Sequence, residues 1–517
     1  MTVALPADLR RIRDRIRAWA EEFGLDFPET FFEVLDHDAL HEVAAYGGFP
    51  TRYPHWRFGM QYEQLRKTYA YGLQKIYELV INNDPCYAYL MRSNGTTDQK
   101  IVMAHVYGHA DFFKNNLWFG PTHRKMIDQM ANHGTRVRRY ADRWGAEKVE
   151  RFLDDALCLE NLVDAHEPYR PGAARKGAPD GGADDLDEEE RRIGEKVPRL
   201  RAGPEYMDRY LNPPEELERA RRRMERDLET RRRFPAKPER DVLRFLMENA
   251  PLSSWQRDLL AIVRAEALYF APQAMTKIMN EGWATYWHST IMTERALSDD
   301  ELLDYADAHS STLASSPGRL NPYKLGLELW RDIADRWDRG RFGTEYSRCT
   351  DWTQRRSWDT RTGLGRAKIF EVRKAYNDVT FIDEFLTEDF VREKRLFVYG
   401  RNAEGAKVIE SRDFAKVKET LLRDLTNFGN PVVEVLDANH RNRGELLLRH
   451  RWEGLDLRGD YARDTMEALH RIWRRPVHVA TKVEGRGRIL VFDGTRHSSE
   501  EARGEEGGSR KGSVQDH

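Results

Sequence analysis

From about residue 168 to residue 204 the chain lacks the apolar side chains that a packed core needs. Pro171-Gly172-Ala173-Ala174 and Pro179-Asp180-Gly181-Gly182 lead into an acidic stretch from Asp184 to Glu190. Such a segment is solvated and predicted to be disordered. Residues 214–233 extend it with arginine and glutamate and few apolar positions, the pattern of an exposed helix held by i,i+4 ion pairs. The core therefore has to be assembled from the two flanks. The boundaries drawn on this basis are 1–167 and 237–389 as two parts of one helical domain, with 168–236 as a charged insertion. Residues 390–496 form a C-terminal α+β module and 497–517 a disordered tail.

Periodicity sets the class of each flank. Leu9, Ile12, Ile16, Trp19 and Phe23 recur at helical spacing with charged residues between them, an amphipathic helix. Residues 33–60 are dense in aromatics, Gly and Pro and read as an ordered loop. Residues 62–82, 97–118 and 122–166 read as helices, the last with a break at Gly145. Asn82 to Tyr89 reads as a helix end and tight turn. Helix resumes from 239 to about 296, with Pro272 predicted to open a new one because proline suits a first turn, and again over 299–340. Beyond 390 the pattern changes. Segments 396–399, 432–436, 445–448, 477–480 and 489–492 read as strands, with helices at 412–427 and 460–474. The expected fold is a mainly α N-terminal domain, zincin-like in its helical core, with a smaller C-terminal α+β domain.

Composition excludes several classes. No run approaches the roughly 18 apolar residues of a membrane span. The N-terminus passes straight into charged Arg10-Arg11-Ile12-Arg13, with no signal-peptide pattern. Cys86, Cys158 and Cys349 form no CxxC pair, so reduced thiols and a cytoplasmic location are expected. A formal charge of −2 implies no whole-chain steering toward nucleic acid. No phosphate-cradling glycine loop and no serine-hydrolase elbow is present.

The sharpest local feature is Ala104-His105-Val106-Tyr107-Gly108-His109. One helical turn puts both imidazoles on one face, where they can grip a divalent metal. With 16 histidines chance supplies roughly 0.5 such pairs, so spacing alone does not make a site. A second segment, Asn280-Glu281-Gly282-Trp283-Ala284-Thr285-Tyr286-Trp287-His288, sets Glu281, Thr285 and His288 on one face of an otherwise apolar helix. A carboxylate there must be paired or bound to metal. His105, His109 and Glu281 thus make a candidate metal set, with zinc the first choice. The position that carries the general base in the common zinc-protease helix is Val106, which cannot take a proton. Glu266 and His309 are the candidate catalytic residues in its place, with Glu160 and Asp164 further acids within the helical part. Two readings stand beside each other: a metal site, and a buried polar network bracing the core. His37 and His41 form a second i,i+4 pair, expected to have a surface or loop role. Asn115 and Asn116 are expected to cap the end of the histidine-bearing helix.

Five segments carry a resemblance. Ala44 to Trp56, Val80 to Tyr89, His105 to His109, Asn280 to Ala284 and Arg319 to Gly326 together resemble the stage V sporulation protein R (SpoVR) family. The likeness runs over about residues 7–495, interrupted by the 170–204 insertion. It implies a role in forming the spore cortex, or in a bacterial stress response where no spores form. It also implies a serine protein kinase and a von Willebrand-like protein as companions. The sequence reading is then a metal-dependent hydrolase-like protein. The alternative is a non-enzymatic scaffold or regulator working with the kinase, and nucleic-acid binding through the arginine-rich helix has the weakest support.

Overall fold

The computed structural model describes residues 5–70, 78–170, 212–222, 233–316, 318–402 and 404–502. The chain divides into two compact units, one of residues 1–150 and 268–430, the other of 151–267 and 431–517. The first is mainly helical and the second carries the largest sheet, the mainly α plus smaller α+β class expected. Among the described residues no helix is long and apolar enough to cross a membrane.

The first unit is organised around the histidine helix, Thr96–Asn115. All of its residues from Ile101 to Phe113 are buried. A helix buried on all sides belongs at the centre of a core. The glutamate helix, Lys277–Ile291, packs against it and against the helix Pro322–Asp338. Their shared cluster includes Val102, Val106, Phe112, Trp283, Trp287, Trp330 and Phe381. Asn115 does cap the histidine helix, donating to Asp111 O at 2.8 Å, and Asn116 accepts from Trp118 N.

A three-stranded sheet flanks these helices in the order β1 (Thr30–Leu35), β3 (Cys86–Met91), β2 (Leu79–Ile81), with β1 parallel and β2 antiparallel to β3. This corrects two sequence expectations. The helix expected over 62–82 is the helix Trp56–Ala70 followed, past residues 71–77, by β2. The supposed turn after Asn82 leads into β3, buried along almost its whole length. A strand covered on both faces shows no alternation, so its apolar run cannot be told from a helix end. The expected loop over 33–60 holds the end of β1, the helix His37–Ala45 and the start of Trp56–Ala70. Pro272 lies inside the helix Ser254–Met275, and the break comes at Thr276, whose N–H and hydroxyl both bond Pro272 O.

In the second unit five strands lie in the order β10-β9-β8-β7-β6: β6 (Val433–His440), β7 (Glu445–His450), β8 (Val477–Val483), β9 (Arg486–Phe492) and β10 (His497–Glu501). β7 and β8 are parallel and joined through the helix Gly459–Trp473; the other pairs are antiparallel. Polar β10 corrects the expectation of disorder after His497. It pairs with β9 through the backbone ladder and a stacked His497–Phe492 ring pair, and composition reveals neither. The expected strand at 396–399 is β4 (Val398–Arg401), paired with β5 (Lys407–Ser411). Residues 214–222 are helical with Arg219–Glu216 and Arg222–Glu218 ion pairs, as the charge pattern predicts. Most of the 170–204 insertion and residues 223–232 lie outside the described residues, as does the tail from 503.

Candidate metal centre

The glutamate helix has no cap of its own: Thr276 at its N-terminus makes no side-chain cap bond. Asp378, a hundred residues on, supplies it, accepting from Ile278 N at 2.8 Å and Met279 N at 2.9 Å. Burial pushes the Asp378 carboxyl up to about 7, against the pull of those two N–H groups. An unfolded aspartate releases its proton near pH 4, about its ordinary value. Between these values the folded chain holds more protons, so the stability this carboxyl contributes is full at low pH and lost as pH rises toward 7. Asp378→Asn should flatten that part of the stability profile. Urea midpoints of both proteins between about pH 5 and 8 test this; parallel profiles would refute it.

Glycines set the distance between the helices. A Cβ on Gly108, between the two histidines, would lie 2.7 Å from Ala284 Cα. One on Gly282, next to Glu281, would lie 2.7 Å from Leu327 N and overlap the Gly326 carbonyl carbon. Only glycine permits this approach.

At that crossing four side chains converge. His105, His109, Glu281 and Glu78 each offer a donor atom, all within 4.8 Å of one another. Glu281 Oε2 lies 3.6 Å from His105 Nε2 and 3.4 Å from His109 Nε2, and Glu78 Oε2 lies 3.0 Å from His105 Nε2. The histidine side chains are 2% and 5% exposed and the carboxylates 17% and 21%, so the cluster opens on its acidic side.

The hydrogen bonds behind the ligands fix which atoms face inward. His109 Nδ1 lies 2.9 Å from Asn280 Oδ1, an acceptor, so Nδ1 carries the proton and Nε2 presents a lone pair. His105 Nδ1 bonds His288 Nδ1 at 2.8 Å, and His288 Nε2 bonds His309 Nδ1 at 3.3 Å. His105 Nε2 and Glu281 Oε2 are buried and make no hydrogen bond. Tyr323 Oη donates to Glu78 Oε1 at 2.8 Å. These partners orient the ring nitrogens as outer-sphere groups do around a bound ion.

The electrostatics of the cluster are those of imidazoles paired with carboxylates. Burial would push the Glu281 carboxyl up, but the two imidazoles outweigh it and hold it below the ordinary carboxylate range. Glu78 is likewise held down by His105 against burial. Burial lowers the His105 pKa, yet Glu78 and Glu281 push it up to about 9. Burial and the neighbouring imidazoles drive His288 well below its ordinary value, so it is neutral. The Tyr323 phenol is raised by burial and the two carboxylates and keeps its proton.

Of the residues singled out from sequence, His105, His109 and Glu281 come together. His309 sits two hydrogen bonds out from His105. Thr285 turns back onto Glu281 O at 2.7 Å. Glu266 is buried in the second unit and is not one of the four donors. Asp164 is in the second unit too, paired with Arg170 and Arg240. Sequence reasoning missed Glu78, Asn280 and Tyr323 as site residues; Asn280 and Tyr323 stood in motifs already noticed, and Glu78 stood in none. The His37/His41 pair is on a helix, not a loop, with His41 fully buried and the rings 3.9 Å apart.

Comparison with known proteins adds the following. The SpoVR like protein family model matches residues 4–430, and the SpoVR-like C-terminal domain model matches residues 431–484. The junction falls where the second compact unit resumes. The chain is 29% identical over 483 residues to the uncharacterized protein YcgB of Escherichia coli (strain K12), covering 88% of each. No solved structure matches.

Proposed function

This chain belongs to the SpoVR family, and from that premise we propose that it is a metal-dependent hydrolase-like protein acting in sporulation or a bacterial stress response. The family name supports the biological setting. One observation carries the chemistry: His109 Nε2 and His105 Nε2 face one carboxylate oxygen at 3.4 and 3.6 Å, with no hydrogen bond between His105 Nε2 and Glu281 Oε2. Two donors each about 2.05 Å from a tetrahedral ion lie about 3.3 Å apart. The spacing suits a shared divalent cation, zinc first, better than a direct bond.

When bound, such an ion polarises a carbonyl and acidifies a water. The chain's own residues do the rest. His105, His109 and Glu281 hold the ion. Glu78 takes the role that Val106 cannot fill: Tyr323 fixes one of its oxygens and leaves the other among the donors, placed to accept a proton. Neutral His288, bonded in turn to His309, holds His105 Nδ1 and so turns His105 Nε2 toward the donor cluster. Glu266 takes no part in this reading.

Metal analysis of the purified protein tests it. Stoichiometric divalent metal is expected, and a His105→Ala/His109→Ala double variant should lose it at least about tenfold in affinity. Glu78→Gln should retain the metal and lose hydrolysis. Absence of metal from both proteins after exposure to zinc, manganese and iron would sink the enzyme reading. It would favour a scaffold or regulator working with a serine protein kinase and a von Willebrand-like companion.

A further inference from the structure

The second unit holds a groove that the proposed centre does not use. It has a volume of about 680 Å³ and is lined by Asn249, Pro251, Asn439, Asn442, Arg443, Gly444, Trp473, Arg474 and Arg475. Three lining residues are arginines and none is acidic. Arg443 is paired with Glu445 at 2.7 Å. Among the described residues no carboxylate pairs with Arg474 or Arg475, and both are exposed.

The floor of this groove is rigidly built. The turn between β6 and β7 is closed by Gly444 N donating to Asn439 Oδ1 at 3.0 Å. That turn then grips the end of the helix Gly459–Trp473. Trp473 Nε1 donates to Gly444 O at 2.9 Å, and Arg475 Nη1 donates to Arg443 O at 2.7 Å. Gly444 has φ +65°, and a Cβ there would lie 2.9 Å from Arg475 Nη1, so the guanidinium lies directly over the turn. Arg475 thus arrives already positioned, with little ordering left to do on binding.

Arg474 adds an independent sign. It ends its helix in the left-handed region, φ 63°, where glycine or asparagine is ordinarily found. An arginine there costs about 1 kcal/mol in backbone strain. Strain of this kind gathers at ligand sites, where the side chain is worth keeping. Asn442, on the groove's other wall, is also left-handed at φ 58°.

We propose that this groove binds a small phosphoryl-bearing molecule, gripped by Arg474 and Arg475 with Asn442 as a further amide donor. Two guanidiniums without a carboxylate partner among the described residues, one of them fixed to the turn, match a doubly charged oxyanion better than a single carboxylate, because each presents a rigid fork of donors. Trp473 is almost covered, so recognition comes from the charged group and not from a ring stacked on the indole.

Calorimetric titration of the full-length protein with pyrophosphate and with ATP tests this. Saturable binding that weakens with added salt is expected for both. Equal affinities identify the phosphoryl group alone as the ligand; tighter ATP identifies a nucleotide as its source. Arg474→Gly should keep or raise the thermal midpoint, since it removes the strain, and weaken binding about tenfold, the loss of one charged hydrogen-bonding group. No saturable heat with either probe, or an unchanged affinity in Arg474→Gly, would overturn the proposal.

Discussion

Asp111→Ala is expected to cost about 3–5 kcal/mol of folding stability. Asp111 is on the histidine helix two residues past His109, fully buried. It accepts from Arg373 Nη1 at 2.5 Å, from Trp283 Nε1 at 2.8 Å and from Asp26 N at 2.8 Å. Burial pushes this carboxyl's pKa up and outweighs the pull of Arg373 and the hydrogen bonds, so these contacts offset only part of the loss of water. Truncation leaves the Arg373 guanidinium, 3% exposed, as an uncompensated buried charge. It also cuts the link to Trp283, which ties the histidine helix to the glutamate helix. Urea unfolding followed by circular dichroism measures the cost. Asp111→Asn keeps an acceptor and should lose less. A cost under about 1 kcal/mol for the alanine variant would show that the pair is dispensable.

Gly282→Ala is the second large effect, about 3 kcal/mol or more. The added methyl meets backbone on its far side, Gly326 and Leu327. Backbone cannot rotate away as a side chain can, so the two helices must separate. Glu281 is the neighbouring residue and moves with its helix, so metal content should fall together with stability. Gly59→Ala is the matched control. Gly59 is in the helix Trp56–Ala70 with nothing within 4 Å of an added Cβ, and alanine there should stabilise by about 0.5–1 kcal/mol. If both substitutions are equally tolerated, the close helix crossing is not what holds the centre together.

What could be read without coordinates follows from the range over which sequence patterns act. The histidine pair was legible because a helix repeats every 3.6 residues, so His105 and His109 share a face by local geometry alone. Glu281 was legible because a carboxylate among tryptophans has to have a partner. The strands β6 to β9 announced themselves by apolar runs between turns. β1, β2 and β3 did not: they are short, β3 is buried on both faces, and they sit beside aromatic loops. The Pro272 reading failed because a proline early in a helical pattern and one near its end leave the same local mark.

Glu78 shows where that range stops. It stands in no repeat with the histidines, between residues 71–77 and a three-residue strand, and nothing local marks it. Asn280 adjoins Glu281, but that it holds His109 is a fact about two helices crossing. The same is true of Asp378 capping a helix a hundred residues earlier, and of Gly282 against Gly326. The sequence by itself determined most of the long helices, but not the helix His37–Ala45 or the end of the helix before β2, and it determined which two imidazoles must lie side by side. Only the tertiary structure decided which acids meet them. Periodicity constrains neighbours within a turn of chain, whereas coordination depends on distance in space between segments that the chain order leaves far apart.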